Sequence, residues 1–221
     1  MPKAIKNFKK EDYTDKFVKD LYNESWQDYH YTHFRPKNKN FGRILLELYN
    51  WDSVVDFGCS IGSLLEVFLE NGKKIKGYEY CYEECLNSIR KVENLEEHIE
   101  FGDVSKDLNP GIFDASISIE VAEHIPTEYS ESLVKNLKNS TKDIIIFTAA
   151  TPDQGGTGHI NCQERSFWID LFEKNGCVYD IKETEKIKER CIPTKEVKVN
   201  NYPHMWAHVY RNLMVFRKNQ S

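Results

Sequence analysis

Short apolar runs alternate with amphipathic stretches over most of this chain. Ser53–Phe57 (SVVDF), Lys74–Tyr78, Ile99–Phe101, Phe113–Ile119 (FDASISI) and Asp143–Thr148 (DIIIFT) are rich in β-branched and aromatic residues and read as strands. Between them, Ser63–Asn71, Tyr82–Val92, Thr127–Lys138 and Ser166–Asn175 carry apolar residues at helical spacing, and Gly72 and Gly176 close the first and last. Strands separated by helices need crossover connections. The pattern therefore predicts an α/β fold with a Rossmann-like, doubly wound, mostly parallel sheet.

Both ends of the chain depart from that rhythm. Val178–Lys182 and Asn212–Arg217 (NLMVFR) read as two late strands in a hairpin-like relation. They bring the sheet to seven strands and put antiparallel pairing at one edge. The run Lys182–Arg190 alternates charges and reads as an exposed helix face, and His204 and His208 around Trp206 read as a solvated loop. The start is polar yet aromatic: Tyr13, Phe17, Tyr22, Trp26, Tyr29, Tyr31 and Phe34. Tyr13, Phe17 and Leu21 fall at helical spacing, and another helix is predicted over Asn40–Tyr49. Residues 1–50 are thus expected to form an N-terminal helical lid, and 51–221 the main unit.

Size and charge narrow the classes. With 221 residues the chain suits one α/β domain and is too short for two full cores. A net charge of -5 gives no general attraction to phosphate backbones, which counts against a nucleic-acid partner. No apolar run approaches the roughly 20 residues of a bilayer span, and the Lys-rich start lacks the apolar core of an export signal. A cytoplasmic location is expected, with Cys59, Cys81, Cys85, Cys162, Cys177 and Cys191 as free thiols.

Candidate chemistry gathers at strand ends. The first strand turns through Asp56-Phe-Gly58-Cys59-Ser60-Ile-Gly62, where glycines permit a tight turn and let a ligand lie against bare backbone ahead of a helix N-terminus. Glu79 and Tyr80 end the second strand, where a carboxylate can accept both hydroxyls of a ribose; Asp103 and Val104 follow the third. In such sheets ligands sit beyond the carboxyl ends of the strands. A dinucleotide-dependent oxidoreductase is the competing reading, but these glycines are not spaced as GxGxxG.

In this order the residues resemble the class I S-adenosylmethionine (SAM) dependent methyltransferases, over roughly Trp51 to Gly176. VVDFGCSIG resembles their Asp-x-Gly-x-Gly-x-Gly motif, with Ser60 in place of the middle glycine. The resemblance implies SAM as cofactor, bound by Asp56, Gly58, Cys59, Ser60, Gly62, Glu79, Tyr80, Asp103, Val104 and Glu120. Arg35 is a candidate for the SAM carboxylate.

The fourth strand runs into Glu120-Val-Ala-Glu123-His124, and a Gly-rich stretch after the fifth carries His159. Two carboxylates and two imidazoles suit a divalent ion such as Mg²⁺ or Mn²⁺. The pattern is similar to the Glu-x-x-Glu-His of the small-RNA 2′-O-methyltransferases and the ubiquinone-biosynthesis O-methyltransferases. By that likeness Glu120, Glu123, His124 and His159 are the catalytic and metal-ligand candidates. Two other readings stay open: His124 or His159 as a general base without metal, and a purely structural role.

GHINCQERSFWIDLFEKNG with the closing NLMVFRK resembles methyltransferases of sugar and glycan modification. It favours a saccharide hydroxyl as acceptor, with the N-terminal aromatics and Tyr202, Trp206 and Tyr210 as stacking walls. An RNA end, a quinone or catechol, and a non-catalytic SAM-binding regulator are the alternatives. The residues leave the oligomeric state open.

Overall fold

The computed structural model describes residues 14–191 and 203–219. Tyr13, Tyr202, and the side chains of His204 and Trp206 fall outside what is described. Three helices come first: α1 (Asp15–Leu21), α2 (Glu24–His33) and α3 (Arg35–Leu48). The Thr14 hydroxyl accepts the Phe17 N–H at α1, and the Asn23 side-chain amide oxygen accepts the Trp26 N–H at α2; each supplies an otherwise unmade helix-end partner. α3 starts ahead of the predicted Asn40 because Pro36 sits in its first turn, where a missing N–H costs nothing.

Seven strands follow: β1 (Ser53–Phe57), β2 (Lys74–Glu79), β3 (Ile99–Phe101), β4 (Phe113–Ile119), β5 (Thr141–Thr148), β6 (Cys177–Tyr179) and β7 (Met214–Lys218). They form one sheet in the order β3-β2-β1-β4-β5-β7-β6. β1 to β5 pair in parallel, and β7 runs antiparallel between β5 and β6. The antiparallel pairing thus lies toward one edge, with β7 slotted in from the chain end.

The remaining helices are α4 (Ser63–Glu70), α5 (Tyr82–Ile89), α6 (Ser130–Asn139), α7 (Arg165–Lys174), α8 (Ile181–Cys191) and α9 (Pro203–Asn212). Two buried clusters cover the sheet. One packs Phe41 and Leu45 of α3, Leu65 and Phe68 of α4 and Ile89 of α5 on one face; the other packs Leu133 and Leu137 of α6 with Trp168 and Phe172 of α7 on the opposite face. This is the doubly wound arrangement that crossover chirality favours.

Three expectations are corrected. The strand placed over Val178–Lys182 stops at Tyr179, because α8 begins at Ile181 and buries Thr184 and Ile187 under an otherwise charged surface. The segment 203–212, read as a solvated loop, is helix α9, with Val209 and Asn212 buried. Arg35 turns toward α4, where it and Lys39 pair with Glu66, a carboxylate only 2% exposed. Among the described residues no helix is long and apolar enough to cross a membrane.

Candidate active site

β1 and β4 are neighbours whose chains cross to opposite faces, so their carboxyl ends frame a crevice. A cavity of 570 Å³ opens there, a size that holds a cofactor-sized ligand. Its walls include Asp56, Gly58, Cys59 and Ser60 from the first turn, Glu79 and Tyr80 after β2, and Asp103 and Val104 after β3. Gly62 is the exception among the cofactor candidates. It lies outside the cavity, at φ +71° where the chain enters α4, with Ile99 and Leu95 where a Cβ would go.

The turn is tied to the next strand. The Gly58 and Cys59 N–H groups donate to the Tyr78 carbonyl at 2.8 and 3.1 Å. Gly58 has φ +83°, and an added Cβ would come within 2.4 Å of Val121, so neither the backbone nor the space admits a side chain. Ser60 adopts φ +51°, a left-handed conformation that an L side chain occupies at a cost. The Glu79 carboxylate clasps both turns: Oε2 accepts the Ser60 N–H at 2.7 Å and Oε1 the Cys81 N–H at 2.9 Å. Each oxygen keeps a second lone pair. Burial raises Glu79 above the usual carboxylate range against the opposing pull of those amides. Burial, then the charge of Glu79, pushes Asp56 up to about 8.

Helices α1 and α2 cross the cavity. The Tyr80 hydroxyl donates to Asp15 at 2.7 Å, and Gln27 and His30 of α2 lie 3.4 and 3.5 Å from the Ser60 hydroxyl. Burial lowers His30 to about 4, so its ring is neutral. Tyr22, between the two helices, sets its hydroxyl 2.9 Å from His124 Nδ1.

The second half of the cavity holds the acid–histidine group. After β4 the chain makes a short 3-10 turn over Ala122–His124, which swings Glu123 and His124 inward. Glu123, His124 and His159 offer ligand atoms that all lie within 4.8 Å of one another. Glu123 is fully buried, and neither carboxylate oxygen has a hydrogen-bond partner among the described residues. Its Oε1 is 4.0 Å from His159 Nε2. Burial, reinforced by the nearby Glu120 charge, holds the Glu123 carboxyl well above its ordinary value.

Both imidazoles are neutral and oriented. Burial, and then the His159 ring, lowers His124 to about 3, while burial lowers His159. His159 Nδ1 donates to the Gln154 carbonyl at 3.2 Å, which leaves the Nε2 lone pair bare. His124 Nδ1 lies 3.0 Å from the Gly158 carbonyl. Gly156 makes room for this: a Cβ there would fall 2.2 Å from His159 Nε2.

Glu120 lines the same cavity and is differently employed. Gln154 donates to its Oε2 at 2.7 Å and Asn212 to its Oε1 at 3.0 Å, while Asn212 also donates to the Gln154 amide oxygen at 2.7 Å. So of the four ligand candidates the structure brings three together, and it fixes the fourth as an amide-bound carboxylate beside them. Gln154 and Asn212 escaped the sequence reading, and Tyr22, read there as one of the stacking aromatics, instead sets its hydroxyl against His124. The two amides come from distant segments and carry no motif.

A divalent ion fits the three convergent groups. They offer a hard carboxylate oxygen and two neutral nitrogens, and the backbone amides of Glu123 and Ala150 offset only part of the cost of burying the Glu123 carboxyl. The carbonyls behind the imidazoles are the outer partners that such ligands use.

The chain matches no protein-family model and no curated protein sequence. Solved structures do match. Magnesium protoporphyrin IX methyltransferase from Synechocystis with bound SAH superposes with a TM-score of 0.62 at 15% identity, over 94% of this chain and 100% of that one. The putative methyltransferase bound to the Trm112 activator of Haloferax volcanii gives 0.60 at 15% identity, over 89% and 97%. The O-methyltransferase of a Brevibacillus brevis trans-AT PKS multienzyme, with S-adenosyl-L-homocysteine, gives 0.56 at 17% identity, over 100% and 82%. At these identities the likeness is one of fold, and the chain has the seven-stranded Rossmann-like fold of these methyltransferases.

Proposed function

We propose that this protein is a SAM-dependent O-methyltransferase that methylates a hydroxyl of a small acceptor carrying two neighbouring oxygens, with a divalent ion at Glu123, His124 and His159. The observation that carries the proposal is the bare, fully buried Glu123 carboxyl facing two neutral imidazoles in the cavity that also holds Glu79 and the glycine turn. The solved structures of this fold that contain S-adenosylhomocysteine support the choice of donor.

Within this reading the two halves of the cavity divide the work. Glu79 takes the ribose hydroxyls on its spare lone pairs, and Asp103 and Val104 flank the adenine. The sulfonium donor supplies an activated methyl group, so the protein's task is to align the acceptor oxygen and remove its proton. A divalent ion, when bound, supplies Lewis acidity that makes an alcohol easier to deprotonate. Glu123, His124 and His159 hold that ion, while Glu120, fixed by Gln154 and Asn212, adds negative charge beside it. In a metal-free site His159 Nε2 is the group placed to accept the hydroxyl proton. Tyr22 and α2 form part of the cavity wall.

The acceptor is a neutral diol, most simply a saccharide. Six carboxyl side chains line the cavity, from Asp15, Asp56, Glu79, Asp103, Glu120 and Glu123, and they disfavour a phosphate-bearing RNA end. The aromatic lining of Tyr22, Trp26, Phe34 and Tyr129 favours a second reading, a catechol-type ring with the same chelating oxygens. Transfer of labelled methyl from SAM to panels of sugars, catechols and RNA ends, with and without chelator, tests the proposal. Chelator-sensitive labelling of a diol acceptor supports it, and labelling confined to amines or thiols refutes it.

A further inference from the structure

We propose that Gln154 and Asn212 are positioning residues that hold Glu120 outside the coordination shell of the divalent ion, an inference that rests on the ion reading above. Glu120 precedes Glu123 by three residues and stands close enough that its charge acts on both Glu123 and His159. A carboxylate at that distance, left to itself, would be drawn to a divalent cation as a further ligand. Its oxygens are already engaged. Gln154 donates to Oε2 and Asn212 to Oε1.

Both amides are fixed in orientation. The Gln154 oxygen accepts from Asn212 at 2.7 Å and from Arg211 at 3.3 Å, which turns the Gln154 nitrogen to Glu120. Reversing the Asn212 amide would set its oxygen against two acceptors. Asn212 is in turn anchored from behind. The Arg165 guanidinium donates to the carbonyls on either side of it, those of Arg211 and Leu213, at 2.5 and 3.1 Å.

The lock carries two local costs, and both fall on the residues it joins. The Asn212 amide oxygen is buried with no partner among the described residues. Glu120 adopts φ +54°, a left-handed conformation, with its N–H on the Thr148 hydroxyl at 2.8 Å. Strain and unmade bonds of this kind gather where function, rather than packing, sets the geometry. Withholding Glu120 leaves three protein ligands and one more position for an acceptor oxygen, the feature that separates catalytic from structural metal sites.

The test is calorimetric titration of Mn²⁺ into wild-type protein, the near-isosteric Asn212→Leu and Gln154→Met variants, and the double variant. A freed Glu120 adds a charged ligand, so the double variant is expected to bind Mn²⁺ roughly tenfold or more tightly than wild type, with each single variant in between. Adding Glu120→Gln to the double variant is expected to cancel that gain. Water-proton relaxation by the bound Mn²⁺ is expected to fall in the double variant, because the new ligand displaces a water. Amides that merely support the site predict the opposite sign, a loss of roughly 10- to 100-fold in affinity. Weaker or unchanged binding, or a gain that survives Glu120→Gln, overturns the proposal. Wild-type protein that takes up no Mn²⁺ overturns the ion reading itself, and so separates the two failures. Thermal melts establish that each variant is folded, and the single variants carry the same test if the double variant does not fold.

Discussion

Replacing Glu123 by leucine separates the cost of the site from the stability of the fold. The wild-type carboxyl is completely buried and neither oxygen has a partner among the described residues, so it forfeits hydrogen bonds that water would give it. Leaving one such polar group unmade costs about 1–3 kcal/mol, and leucine removes that cost without emptying the space. For a chain of this length 1 kcal/mol moves the melting temperature by roughly 2–4 °C, so a gain of about 2 kcal/mol corresponds to about 4–8 °C. The gain depends on pH with a definite sign. Burial, then Glu120, raises the folded-state pKa of Glu123 above its ordinary 4.5. The stability linked to this group is fully present below that ordinary value and is lost as pH rises toward the folded pKa, because the unfolded chain releases its proton first. The advantage of Glu123→Leu should therefore be larger at about pH 8 than at about pH 5, with a slope of up to roughly 1.4 kcal/mol per pH unit within the titrating range. Mn²⁺ should then narrow the gap, since an ion at a hundred times its Kd stabilises only the protein that binds it, by about 2.7 kcal/mol. Urea denaturation of both proteins at the two pH values, with and without Mn²⁺, reads all three effects. A leucine variant less stable than wild type at the higher pH, or a gap that does not change with pH, would refute the reasoning.

Further predictions rest on single residues. Gly58→Ala places a Cβ 2.4 Å from Val121 at φ +83°, and should cost about 2 kcal/mol or more and abolish S-adenosylhomocysteine binding; a melting temperature within a degree of wild type would count against the turn geometry. Ser60→Gly should instead raise stability by roughly 1 kcal/mol by relieving the left-handed conformation at φ +51°, and a lower melting temperature would mean the hydroxyl contacts with Gln27 and His30 outweigh that strain. His30 is held neutral, with its pKa depressed from 6.5 to about 4, so the unfolded chain takes up a proton first on acidification. Its contribution to stability is intact above pH 6.5 and is lost as pH falls toward 4, at up to roughly 1.4 kcal/mol per unit. His30→Gln should flatten that acid limb in denaturation curves, and an unchanged limb would assign it to other groups.

Much of the fold could be read from local pattern, because the central parallel strands β1, β4 and β5 are mostly buried and announce themselves as apolar runs. SVVDF and DIIIFT are such runs, and β1 and β5 contain them. What failed was set by partners far along the chain. Arg35 looked like a free cation near the cofactor turn, and only the approach of Glu66, 31 residues away, shows where it goes. The segment PHMWAHVYRN reads as a solvated loop from its two histidines, yet it is a helix whose last residue, Asn212, is buried against Glu120 and Gln154. The acid–histidine group was half legible: Glu123 and His124 are adjacent in sequence, and His159 joins them because glycines at 156 and 158 bring its loop against the turn. That Glu120 is held by amides while Glu123 is left bare follows from β5 and α9 packing, which no local spacing encodes.

Donor and ion are proposed to sit together in one cavity. A crystal of the protein soaked with S-adenosylhomocysteine and Mn²⁺, with data collected to reveal anomalous scattering from manganese, tests both in one map. The prediction is an adenosine between Glu79 and Asp103, with one anomalous peak bounded by Glu123, His124 and His159. An adenosine elsewhere, or a manganese peak away from these three side chains, would contradict the account.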